Sequence, residues 1–142
     1  MNWKESTCAC EKCKNMCRER PCWPSPQEAQ KLIDSGYSNR LMYDYWVGDG
    51  RTGSDIGIIS PAIVGYEGKA APSWSMGRCT FLTKDDLCEL HDKGLKPIEG
   101  RVADHTGQLS GLHGEVAFLW NNGYGEGIVK KWKCRCTHCK GE

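Results

Sequence analysis

The sequence predicts a small, mainly α-helical or irregular domain stapled by metal, with short helices and loops around Cys-ligated sites and little sheet. Three observations predict it. The chain of 142 residues has only 23 Leu, Ile, Val and Phe, about 16 %, below the roughly 20 % that a globular core usually needs. Ten residues are Cys. The cysteines fall in three clusters, at 8–22, 79–88 and 134–139, within what reads as a single metal-binding domain over 1–142. Disorder is excluded by charge, because 19 Lys and Arg against 18 Asp and Glu leave a net charge of only +1. Six Trp and five Tyr add burial that the aliphatic count misses. A chain so thin in core needs disulfides or metal.

Compartment and spacing favour metal. The first 25 residues are polar and Cys-rich, without the apolar run of a secretory signal, and no stretch approaches the ~18 apolar residues of a membrane span. The expected compartment is the cytoplasm, where thiols stay reduced. Cys8/Cys10 and Cys134/Cys136 are poor disulfide partners, since extended neighbours two apart point the same way. Cys8-Ala9-Cys10-Glu11-Lys12-Cys13 and Cys134-Arg135-Cys136-Thr137-His138-Cys139 share the pattern C-x-C-x-x-C, apart from which no repeat exists. Its C-x-x-C half lets two thiolates reach one tetrahedral ion at ~2.3 Å.

The expected metal ligands are Cys8, Cys10, Cys13, Cys17, Cys22, Cys79, Cys88, His91, Cys134, Cys136 and Cys139. They would serve two or three Zn²⁺ ions. Eight Cys fill two four-thiolate sites and leave two over, whereas ten Cys with two His fill three. His91 follows Cys88 by three residues, so ring and thiol share a face of a helical turn. His138, flanked by two ligands, is expected to point away. An iron–sulfur cluster is the alternative, but the run C-x₂-C-x₂-C-x₃-C-Pro is missing, and Cys10-x₂-Cys13-x₃-Cys17 only comes near it.

Along the chain, Ser25-Pro26-Gln27-Glu28 predicts a capped helix from Ser25 to Ser35 with Ala29, Leu32 and Ile33 on its inner stripe and Gly36 as its stop. Leu41–Val47 reads equally as a strand or a buried helical turn. Gly48–Ser54 is a loop whose glycines lack the phosphate-loop spacing. Ile56–Ile59 and Ala62–Tyr66 read as irregular extended pieces around Pro61, and Gly68–Ser75 as a loop. A turn at Thr83–Asp86 brings Cys79 and Cys88 together, with Phe81, Leu82, Leu87 and Leu90 facing the core. Helices are expected from Pro97 to about His105, from Ser110 with Leu112, Val116, Leu119 and Trp120 on one face to a stop at Asn122-Gly123, and from Glu126 to Lys133.

Cys10-x₂-Cys13-x₃-Cys17, the Pro-Gln-Glu-Ala-Gln-Lys-Leu-Ile helix, Cys79-Thr80-Phe81-Leu82, Cys88-Glu89-Leu90-His91 and Lys96-Pro97, in that order, resemble the YkgJ-type zinc- or iron-chelating proteins over roughly residues 8 to 105. The resemblance implies metal binding and no particular reaction. It also implies a Cys in an Arg-Pro-x-x-Cys-Arg stretch, which here reads Lys96-Pro97-Ile98-Glu99-Gly100-Arg101. The lost ligand is either absent or supplied by Glu99, His91 or the C-terminal knuckle.

No nucleophile elbow or His-Glu-x-x-His occurs, so an enzyme is not the favoured reading. A hydrolytic set from His105, His113, Asp104 and Glu115 competes with solvated or capping histidines. The last 13 residues carry a net charge of +4 around Trp132, which offers phosphate contacts and a stacking ring. Those lysines also offset thiolate charge. The expected function is a cytoplasmic zinc protein with closed structural sites, an interaction or regulatory module whose partner is a protein more readily than a nucleic acid, and not a membrane. Nucleic-acid binding through the basic knuckle and iron–sulfur redox chemistry are the alternatives. Metal and fold are expected to form one equilibrium, with the apo chain largely unfolded.

Overall fold

Ser25 opens the first helix with a reciprocal cap. Its hydroxyl accepts from the Glu28 amide at 3.2 Å, and Glu28 Oε1 accepts from the Ser25 amide at 2.9 Å. Pro26 fits the first turn, where its missing N–H costs nothing, and α1 runs Pro26–Asp34 with Ala29 and Leu32 buried. Gly36, at φ +92°, ends it in the left-handed region while the Tyr37 amide returns to the Leu32 carbonyl at 3.0 Å.

The computed structural model describes residues 18–46, 55–72, 76–85, 87–102 and 112–134. After a 3₁₀ turn at Ser38–Arg40 come β1 (Leu41–Trp46) and β2 (Ile56–Pro61), paired antiparallel from Leu41↔Pro61 to Trp46↔Ile56. A 3₁₀ turn at His91–Lys93 precedes α2 (Ile98–Val102), α3 (Leu112–Leu119) and α4 (Gly123–Lys133). β1 is therefore the strand between its two readings. Periodicity did not settle this, because β2 is buried on both faces and β1 nearly so, which removes the alternation of a half-exposed strand. Part of the expected 68–75 loop also pairs: the Tyr43 amide donates to Lys69 and the Ala71 amide to Tyr43, so this segment covers the other edge of β1.

The fold class expected from sequence is corrected here. The described residues form a mixed α/β unit of four helices and a two-stranded sheet, built around a hydrophobic core. Among them no group of three or more His, Cys, Asp or Glu is spaced to hold a metal ion. The core joins Ile56, Ile58 and Ile59 to Leu32, Leu41, Phe81, Leu90, Val116 and Ile128, with Trp23, Trp120 and Trp132 supplying the bulk. Each of those three indoles donates a hydrogen bond: Trp23 to Asp44 (3.1 Å), Trp120 to the Pro24 carbonyl (2.9 Å) and Trp132 to the Ser38 carbonyl (3.0 Å). Aromatic burial thus adds to what the aliphatic count supplies.

Two faces also differ from expectation. Phe81 and Leu90 are buried, but Leu87 is 56 % exposed; Val116 and Trp120 are buried, but Leu119 is exposed. α4 begins three residues earlier than expected, because the Asn122 side chain accepts from the Gly125 amide at 2.8 Å and caps it. Glycines at 123 and 125 disguise that start as a stop. No helix among the described residues is long and apolar enough to cross a membrane.

Gly125 has a steric reason. A Cβ there would stand 2.7 Å from the Trp120 carbonyl oxygen and 2.8 Å from its Cα, both backbone atoms. At Gly127, on the same helix, a Cβ meets nothing within 4 Å. Gly125→Ala should therefore lower unfolding free energy by about 1–3 kcal/mol, whereas Gly127→Ala should raise it by about 0.5–1 kcal/mol. Urea denaturation of the two variants checks the opposite signs.

Candidate functional site

Three of the expected ligands meet. Cys22 lies just before Trp23, Cys79 in a bridge with Ile63, and Cys88 in a bridge with Leu82. All three are thiols lining one small cavity of about 20 Å³, whose other walls are Pro61, Phe81, Leu90, Lys96, Pro97 and Gly100. They share a cavity without being drawn into a ligand set. Cys134 is exposed at the C-cap of α4. Cys8, Cys10, Cys13, Cys17, Cys136 and Cys139, with His138, lie outside the described residues.

Arg40 holds the two central cysteines in place. Its guanidinium donates to both Glu89 oxygens at 2.8 and 2.9 Å and to the Thr80 carbonyl at 2.9 Å, and lies 4.2 Å over the Phe81 ring. One side chain thus ties the residue after Cys79 to the residue after Cys88. The hydrogen bonds to Glu89 are the main reason that the Arg40 pKa is raised; burial opposes them, and the nearby charges of Glu89, Tyr37 and Cys79 add to the rise. The same Arg40 hydrogen bonds hold the Glu89 carboxyl below its usual range.

Gly100 lines the same cavity. A Cβ at this position would lie 3.5 Å from Cys22 Sγ. Neither suggested substitute faces the cavity. His91 is exposed and lines a different cleft. Glu99 is buried, 2 % exposed, and committed: it accepts from the Trp23 amide at 2.7 Å and from His113 Nδ1, with Arg20 Nη2 at 3.7 Å.

Sequence reading missed the grouping around His113. Its ring stacks on Trp23, centroids 3.5 Å apart, and meets the Trp46 ring edge-on. With Nδ1–H given to Glu99, Nε2 accepts from Arg20 Nη2 at 2.7 Å. Both nitrogens are used, and Glu115 is exposed; His105 and Asp104, the other members of the hydrolytic set, lie outside the described residues. The only signal for this cluster was a carboxylate inside a short helix, 76 positions from its amide partner.

Of the basic C-terminal stretch, only the part up to Cys134 lies among the described residues. Trp132 is buried and hydrogen-bonded to Ser38, so it offers no free face for a base, and Lys133 Nζ sits 3.8 Å over the Tyr43 ring.

The Arg40–Glu89 clamp has a pH signature. A carboxyl whose folded pKa is depressed contributes stability above its unfolded value, near 4.5 for Glu89, and that contribution is lost as pH falls through the folded value. Urea midpoints should therefore fall below about pH 4.5 for the parent chain. Glu89→Gln should be less stable at neutral pH and show a flatter dependence across the acid range. No family model matches this chain, and no curated protein or solved structure matches it.

Proposed function

We propose that this chain is a cytoplasmic zinc-binding protein whose Cys22, Cys79 and Cys88 supply thiolate ligands, acting as an interaction or regulatory module for a protein partner. One observation carries the reading: Cys22 and the Cys79/Cys88 pair, from two segments far apart in sequence, line a single cavity together with position 100. Position 100 is where the YkgJ-type resemblance places a further Cys. The donor set suits a thiophilic ion in chemistry, since the sulfurs stand among apolar walls, but as they stand the three are not spaced to hold one and would have to close in on binding. It does not fit as a closed four-thiolate site, because the fourth sulfur is missing from this wall. Zinc bound there would add to a fold that already has its hydrophobic core, and would not staple it.

Metal analysis tests this directly. The purified chain should carry zinc, and Cys22→Ser, Cys79→Ser and Cys88→Ser combined should remove about one equivalent. Chelation should strip that zinc while leaving far-UV circular dichroism intact. Gly100→Cys should slow zinc loss to the chelator by adding a fourth thiolate, the Lys96 stem yielding by a few tenths of an ångström. A triple-serine variant with the zinc content of the parent sinks the assignment, and a coloured, iron-containing protein replaces zinc with an iron–sulfur cluster.

A further inference from the structure

A second cleft lies between α1 and residues 91–101. It has a volume of about 400 Å³ and is lined by Lys31, His91, Lys96 and Arg101 with Gly94, Leu95 and, among the described side chains, one carboxylate, Glu28. The carboxylate is spoken for. Glu28 Oε1 accepts from the Ser25 amide at 2.9 Å and the Ile98 amide at 3.0 Å, and Oε2 receives Arg101 Nη2. Glu28 therefore neutralises Arg101 and fixes its guanidinium, whose Nε donates to the Lys96 carbonyl at 3.1 Å.

Lys31 and Lys96 remain. Neither ammonium has a carboxylate partner among the described residues. Lys96 is also pre-positioned, since its stem packs over Gly100, with Cε 3.1 Å and Cγ 3.4 Å from where a Cβ would stand. Two lysines, an imidazole and an anchored guanidinium thus converge from three separate segments. The chain as a whole carries a net charge of only +1, so the excess of cations in this cleft is a feature of the cleft and not of the composition.

We propose that this cleft binds a small tetrahedral oxyanion, either inorganic phosphate or the phosphoryl group of a monoester. Lys31 and Lys96 would contribute the charge-assisted hydrogen bonds and Arg101 an oriented positive edge. A cleft lined in this way suits one compact anion, whereas a nucleic-acid backbone needs a stripe of contacts. The inference does not rest on the zinc reading.

Calorimetric titration of the full chain with inorganic phosphate, and separately with glycerol phosphate, tests it. Saturable binding at one site is expected, weakened about tenfold by Lys31→Gln and again by Lys96→Gln. Lys69→Gln, outside the cleft, should leave it unchanged. Lys31 is exposed on α1, so its variant keeps the test valid even where Lys96→Gln perturbs packing. Tighter binding of glycerol phosphate identifies a monoester, and equal or weaker binding the free anion. Binding should survive chelation, which separates it from the zinc assignment. Absence of saturable binding, or full binding in the double variant, overturns the proposal. So does displacement of phosphate by a single-stranded oligonucleotide with a multi-contact salt slope, which would assign the cleft to nucleic acid.

Discussion

The hydrogen bond from the Trp23 amide to the buried Glu99 carboxylate is the contact on which the arrangement depends. A carboxylate removed from water is tolerated only when its oxygens are met by donors. Glu99 finds them in Trp23, just before α1, and in His113 on α3, with Arg20 close by. A single charge therefore gathers three segments and fixes the short helix α2 against them. Trp23 reinforces the junction through its ring, which stacks on His113 and donates from Nε1 to Asp44 of β1.

The local grammar of the sequence was legible where the signal was local. Ser25, Pro26 and Glu28 announced α1, and the turn between Cys79 and Cys88 closes through the Leu82↔Cys88 bridge. The sheet was not legible, because strands buried on both faces lose the period of two that marks a strand. The aromatic share of the core was legible in the Trp count, but not which rings are buried: Trp23, Trp120 and Trp132 bury theirs while satisfying the indole N–H.

At the candidate site, spacing identified the residue type and not the neighbours. Cys22, Cys79 and Cys88 were named from clusters, yet their common cavity depends on long-range placement by Arg40 and by the Trp23–Glu99 contact. Glu99 and His91 were plausible substitutes for a missing thiolate by sequence distance alone. Burial assigns Glu99 to Trp23 and His113, and exposure leaves His91 on the other cleft. Neither fact has a signature in the linear chain.

α2 explains how one short element serves so many neighbours. Successive helical residues point about 100° apart, so four in a row can face four environments. Glu99 faces Trp23 and His113, Gly100 faces Cys22, Arg101 reaches Glu28, and Val102 enters the core. The absence of a side chain at 100 then has two effects at once. It withholds a fourth sulfur from the thiol cavity and gives the Lys96 stem a surface to pack on. A thiol at 100 and a packed Lys96 compete for the same few ångströms. Position 100 thus borders the thiol cavity and also carries the stem of Lys96, which lines both that cavity and the basic cleft, so one backbone position touches both.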